Sequence, residues 1–390
     1  MKKHPLLLLL VIAIAFTGGI AAEILFTKIT AHQNRLSIDS TRNSKIKLPL
    51  KQKPEEKALT SKVVIGYVQD FRDPNMVQYN NLSHVIFSFA YPTKDGHILL
   101  NGKMASDNLR EIILKAHQHG TKAILGVGGW YHILGGESYG YFKSAITNPV
   151  YRTRLVNELS SITERRNLDG IDIDFEHPHS KADAQNLTAF IKALSQKLHA
   201  NKKELSVAVH SKIDGMTCTV IHYVVYEPEM FRYVDHVNIM AYDGQWDGGY
   251  HAANLSPYPF TEKVVNYWAR LFESSHISKE KLVLGVPSYG QPENLAIKQV
   301  SYGAIIKNNP TNADRDSVKM NGTIYYYNGA KTVQRKTKLA LDHGFGGMML
   351  WESGLDALGS SSLTGTISRE LENNNITYQK RYALNNEVRK

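Results

Sequence analysis

The chain has 390 residues, 42% of them apolar, which is enough to bury a large core, and its single cysteine, Cys218, excludes any internal disulfide. Its formal charge of +10 is unevenly placed: residues 28–62 carry +6, the segment from Ile376 onward +3, and the first 27 residues +1, so residues 63–375 are close to neutral. A neutral body with basic flanks argues against a groove for nucleic acid, and for solvated or surface-binding ends.

In chain order, Lys2 and Lys3 precede an apolar run from Leu6 to Phe16, followed by Gly18, Gly19, Ala21 and Ala22. This is the layout of a secretory signal cleaved near Ala21 or Ala22. Extended to Ala22, the run reaches 17 residues, so an uncleaved membrane anchor is the alternative. No cysteine follows it, which rules out a bacterial-type lipid anchor there. Residues 1–22 are read as a signal peptide or anchor, and the location as secreted, periplasmic or extracellular, or else membrane-anchored. Residues 23–61 are lysine-rich, contain Pro49 and Pro54, and lack periodicity, so they are expected to form a basic flexible tether.

From Lys62 the texture changes to short β-branched runs alternating with longer amphipathic stretches. The expected strands are Val63–Tyr67, Val85–Phe89, Ala123–Val127, Gly170–Phe175, Leu205–Val209, Val234–Ala241, Leu282–Val286 and Gly347–Trp351. Helical periodicity falls in Ala105–His119, Ala182–Ala200, Thr261–Glu273 and Lys331–His343. Eight β-then-α units predict an α/β fold, a (β/α)8 TIM barrel over residues 62–372, ahead of a polar basic tail at 373–390. A doubly wound open sheet is the competing architecture. Ser288–Asn328, between the seventh strand and its helix, is 41 residues long, polar, and broken by Pro292 and Pro310, so it reads as a small insertion.

The chemistry concentrates in residues 168–176, Leu-Asp-Gly-Ile-Asp-Ile-Asp-Phe-Glu. Strand alternation sends Asp172, Asp174 and Glu176 to one face and Ile171, Ile173 and Phe175 to the other. In a barrel the acidic face looks inward, and Glu176 falls at the C-terminal strand end, where active sites of such barrels lie. Crowded carboxyls cannot all ionise, so at least one should stay protonated near neutral pH, as a glycosidase acid must. A calcium site is the bland alternative, but calcium loops do not place Ile, Ile and Phe at alternate positions.

This segment resembles the D-G-x-D-x-D-x-E signature of glycoside hydrolase family 18, the chitinases and related endo-N-acetylglucosaminidases. Three further segments resemble that family in chain order: Lys122–Trp130, ending Gly-Val-Gly-Gly-Trp; Asn238–Asp243, Asn-Ile-Met-Ala-Tyr-Asp; and Gly346–Glu352, Gly-Gly-Met-Met-Leu-Trp-Glu. The first departs from the family pattern in having Gly126 where the motif has serine. The likeness covers roughly residues 62–372. It implies a retaining mechanism in which Glu176 acts as general acid and then base, while Asp174 orients the substrate's own 2-acetamido group, whose oxygen attacks the anomeric carbon. Asp172 would tune Asp174. Tyr242 would donate a hydrogen bond to the acetamido oxygen, with Met240 and Asp243 lining the same subsite. Trp351 would floor the site, as an indole face suits the C–H face of a sugar. Gly129 and Trp130 are carried as substrate-binding candidates. Tyr67 and Phe89, at the ends of the first two strands, either wall the site or pack in the core.

Trp246 and Tyr250 follow the sixth strand in a Gly-rich loop, a suitable place for sugar-stacking aromatics, whereas Trp268 sits mid-helix and reads as core. Gly136–Gly140 matches G-x-S-x-G, but no strand directly precedes it. His177 and His179 lack helical i, i+4 ligand geometry, so no metal and no cofactor are expected. The expected partner is a polysaccharide or oligosaccharide containing N-acetylglucosamine, with no nucleic acid, membrane or envelope association only through the N-terminus, and a monomeric state. Chitin, peptidoglycan strands and N-glycan cores all offer the required sugar. The rivals are a non-catalytic lectin on the same barrel, whose kind commonly lacks the terminal glutamate, and an envelope-binding protein recruited by the basic tether.

Overall fold

The computed structural model describes residues 61–374 and 376–378; the segment 1–22 and all of the tether but Ser61 lie outside the described residues. The eight runs form parallel strands: β1 Ser61–Gln69, β2 His84–Pro92, β3 Lys122–Gly128, β4 Gly170–Asp174, β5 Glu204–His210, β6 His236–Met240, β7 Leu282–Pro287 and β8 Gly347–Trp351. Each pairs with its neighbour in sequence, and β8 pairs back onto β1 (Val63 with Gly347, Gly66 with Leu350), closing the barrel. Closure decides between the two architectures in favour of the (β/α)8 barrel.

Alternation along the strands builds two apolar layers. On β1, Val63, Ile65 and Tyr67 face the barrel interior with Ile86, Ile124, Val283 and Met349. Val64 and Val68 join the larger layer between barrel and helices. On β4 the rule is the same but the interior side is acidic: Ile171, Ile173 and Phe175 belong to the outer layer, while Asp172 and Asp174 are buried on the other face.

The helices are α1 Gly102–Gln118, α2 Tyr139–Thr147, α3 Pro149–Arg165, α4 Lys181–Ala200, α5 Tyr258–Ser274, α6 Tyr302–Asn308, α7 Ala330–Asp342 and α8 Leu363–Asn373. Their starts follow from local chemistry. Asn148 caps α3 by accepting from the Val150 and Tyr151 amides, with Pro149 at the first position. Ser180 caps α4 through the Asp183 amide. Trp268 on α5 is fully buried, as its mid-helix place suggested, and donates Nε1–H to the Ser211 carbonyl at 3.1 Å. The helical ring is incomplete, because the links β1–β2 and β5–β6 hold only short 3-10 turns, such as Pro74–Met76 and Pro228–Arg232.

The insertion after β7 is a small α+β unit. Its antiparallel sheet orders Val300–Ser301, Tyr289–Pro292, Thr323–Tyr326 and Ser317–Met320, with α6 between the second and third strands in sequence. Beyond α8, Thr377 and Tyr378 pair in parallel with Ser61 and Lys62, so the chain past residue 372 still contributes to the sheet.

Candidate active site

Asp172, Asp174 and Glu176 rise from inside the barrel to its C-terminal mouth. Asp172 is inaccessible to solvent and fully engaged. It accepts from the Tyr67 hydroxyl at 2.8 Å, the Ser206 hydroxyl at 2.6 Å and Asn238 Nδ2 at 3.0 Å. Burial pushes its carboxyl up to about 6 against the pull of those three donors. Asp174, also buried, has no hydrogen-bond donor on Oδ1 among the described residues. Burial first, then repulsion from Glu176 and Asp172, raises it well above the usual carboxylate range. Glu176 retains 16% side-chain exposure and is raised to about 7, first by burial and then by the charge of Asp243. A hydrogen bond between the two carboxyls raises Asp174 and lowers Glu176. The pair therefore holds at least one proton at neutral pH, as expected of crowded carboxyls.

Above the acids opens a cleft of about 660 Å³. Trp351 lies against Phe89, stacked at 5.8 Å, and edge-on to Tyr67 at 5.5 Å, so all three form one aromatic wall. Tyr67 and Phe89 both line the cleft, and Tyr67 is at the same time packed in the barrel interior, where it fixes Asp172. Met240, Tyr242 and Asp243 line it from the end of β6. Asp243 takes a left-handed backbone (φ 63°), and its Oδ1 accepts from the Tyr289 hydroxyl and from Gln245 Nε2 at 3.0 Å. Trp130 and Trp246 stand at the mouth, 45% and 56% exposed. Tyr250 lies behind Trp246 (ring centroids 5.0 Å apart) and donates to the Pro292 carbonyl in the insertion, bracing that tryptophan from outside the lining. Non-proline cis peptide bonds occur at Ser88–Phe89, Glu176–His177 and Trp351–Glu352, all at this end of the barrel.

Gly129 is not part of the cleft lining; its N–H donates to the Asp174 carbonyl at 2.9 Å. A Cβ there would lie 2.6 Å from the Phe89 ring, at a φ of +80°. Gly128 is similarly constrained, since a Cβ would meet the Asp174 carbonyl oxygen at 2.0 Å. These glycines let β3 close on β4 and so hold Asp174 in place. In the G-x-S-x-G match, Ser138 is buried with its hydroxyl on the Gly129 carbonyl, which leaves no nucleophile.

Sequence reasoning missed the histidines. His177, His179 and His210 all line the cleft, with Tyr131 and Tyr223 beside them. His177 Nε2 is 3.7 Å from Glu176 Oε2, and its ring meets His210 edge-on at 4.8 Å. Burial, then the neighbouring histidine, pushes His177 far below its ordinary value, and burial takes His210 down to about 4, so both are neutral beside the acid. The signal was present in the Glu-His-Pro-His run, but only the adjacency of β4 and β5 shows that these rings face inward.

A buried proton-holding carboxyl pair at the C-terminal mouth of a barrel, under an aromatic-walled cleft, defines the class as an acid-catalysing sugar-type site. Residues 63–356 match the family described as glycosyl hydrolases family 18. The chain belongs to that family. It is 26% identical over 242 residues to a chitinase-like effector of Moniliophthora roreri, covering 58% of this chain and 56% of that protein. It is 30% identical over 188 residues to probable chitinase 2 of Drosophila melanogaster, covering 45% of this chain and 36% of that protein. The chain thus spans only about half or less of the length of these two relatives. Among solved structures, a chitinase from Bacteroides thetaiotaomicron superposes with a TM-score of 0.65 at 26% identity, over 80% of this chain and 96% of that one.

Proposed function

We propose that this chain hydrolyses β-1,4-linked N-acetylglucosamine polymers of the chitin kind, cutting within chains and retaining the anomeric configuration. The observation that carries the reading is the Asp174–Glu176 pair, holding a proton beneath the cleft with Trp351 and Phe89 at its wall. Glu176, partly open to the cleft, protonates the leaving sugar oxygen. Asp174 stabilises the acetamido group as that group closes on the anomeric carbon. A direct displacement would instead use a second carboxylate ~5 Å across the sugar. Asp243, the other carboxyl acting on Glu176, already has one oxygen committed to Tyr289 and Gln245, which supports the substrate as nucleophile. The small insertion after β7 supports an open cleft and internal cutting. A second reading is a binder without turnover, and the intact Glu176 speaks against it.

The test is a substrate panel of chitin oligomers, peptidoglycan strands, N-glycan cores and fully deacetylated glucosamine oligomers, scored by product mass and by NMR of the first anomer. Chitin oligomers are expected to yield β-anomeric products of mixed length, and the deacetylated chains to resist cleavage while still binding. An initial α-product, or rapid cleavage of wholly deacetylated chains, would rule out the acetamido mechanism. Release of dimers alone from one end would rule out internal cutting.

The proposal includes export, supported by the basic, apolar and small-residue order of residues 2–22. The exported protein should begin near Ala22 or Glu23 by N-terminal sequencing. Recovery from membranes with Lys2 still present would show an anchor instead.

A further inference from the structure

We infer that the N-terminal end of the barrel, opposite the cleft, carries a binding site for a divalent transition metal of the zinc type, with His84, Glu204 and His236 as its protein ligands. These residues begin β2, β5 and β6, and closure of the barrel brings them together although 152 positions separate the first from the last. Their donor atoms all lie within 4.8 Å of one another. Two imidazoles and a carboxylate are a donor set that zinc accepts, with water completing a tetrahedron. Bonds of ~2.0–2.1 Å place tetrahedral donors roughly 3.4 Å apart, within reach of small side-chain rotations from this spacing.

Three details point to a ligand. His84 Nε2 and Glu204 Oε2 are hydrogen-bonded directly at 2.8 Å, so a metal ion would take the place of the proton between them. The far nitrogen of His84 is held by the Ser83 hydroxyl at 2.8 Å, and Ser83 is tied to the Val64 backbone, so the ring is fixed by an outer contact of the kind that orients metal-bound imidazoles. His236 is only 8% exposed, its ring lies 5.2 Å from that of His84, and its Nδ1 has no hydrogen-bond partner among the described residues. An orphaned buried ring nitrogen calls for an explanation, and an ion supplies one. Lys122 opposes the ion: its ammonium bonds the other carboxylate oxygen, Glu204 Oε1, which leaves Oε2 for the metal but adds a like charge beside it. The site shares no residue with the cleft, so the inference stands apart from the proposed hydrolysis.

The test uses the full chain, stripped with chelator and titrated with zinc chloride by calorimetry, then with cobalt(II) followed by visible absorption. The wild type should take up one saturable equivalent that H236Q loses, together with the intense bands of tetrahedral cobalt(II). H179Q, altered in the cleft instead, should keep that equivalent, which separates it from adventitious binding by cleft histidines. K122M, relieved of the competing charge, should bind more tightly. Should H236Q fail to fold, E204Q carries the same comparison. A wild type that binds no zinc, or an H236Q or E204Q protein with unchanged stoichiometry and cobalt spectrum, would overturn the site and leave an ordinary ion-pair network at the base of the barrel.

Discussion

Glu176→Gln lowers turnover by ~10²–10⁴ or more while oligosaccharide binding survives, because glutamine keeps the shape but has no transferable acid proton. The half-buried position of Glu176 is what makes its acid form available: burial and the charge of Asp243 raise it to about 7. The active form is the protonated one, so the wild-type rate should hold below that pH and fall as pH rises through it. The glutamine variant should lose this alkaline limb along with its activity. Stability falls over the same range. With a folded-state pKa above the unfolded value, the group favours the folded state only while protonated, and that advantage is lost as pH rises through about 7. The glutamine variant should therefore melt higher than the wild type at alkaline pH and no higher in acid. Steady-state kinetics and thermal melts across pH check both, and near-normal turnover in the variant would end the acid assignment.

Asp174→Asn is expected to cost on the order of 10²–10³ in kcat, the scale of losing one preorganised electrostatic contact to a charged intermediate. Burial first, then repulsion from Glu176 and Asp172, holds Asp174 well above the usual carboxylate range. In the proposed mechanism Glu176 gives its proton to the leaving oxygen, its carboxylate then takes up the Asp174 proton across the hydrogen bond between them, and the Asp174 carboxylate faces the positive charge developing on the acetamido group. Asparagine can mimic the resting hydrogen bond but cannot become an anion. The network around Asp172, made by Tyr67, Ser206 and Asn238, does not include Asp174, so the variant should fold and bind ligand normally. Rapid-quench turnover beside equilibrium binding separates the two effects. A variant that loses binding and turnover together would show a structural role instead.

The elements that depend on local geometry were legible in the chain. Alternation with period two placed Asp172, Asp174 and Glu176 on one face of β4 and three apolar residues on the other, because successive side chains of a strand must point to opposite sides. Short β-branched runs located all eight barrel strands to within a few residues. What the chain alone left open depended on which strands lie side by side. Tyr67 reaches Asp172 across 105 positions, and Asn238 reaches both from β6. Gly129, taken from its motif for a sugar contact, instead carries the Asp174 backbone, and His177 and His210 meet only because β4 and β5 are neighbours. The grouping of His84, Glu204 and His236 follows no spacing at all. Strand periodicity is set by covalent geometry within a few residues. The company each inward side chain keeps is set by closure and register of the barrel, which no short stretch of sequence contains.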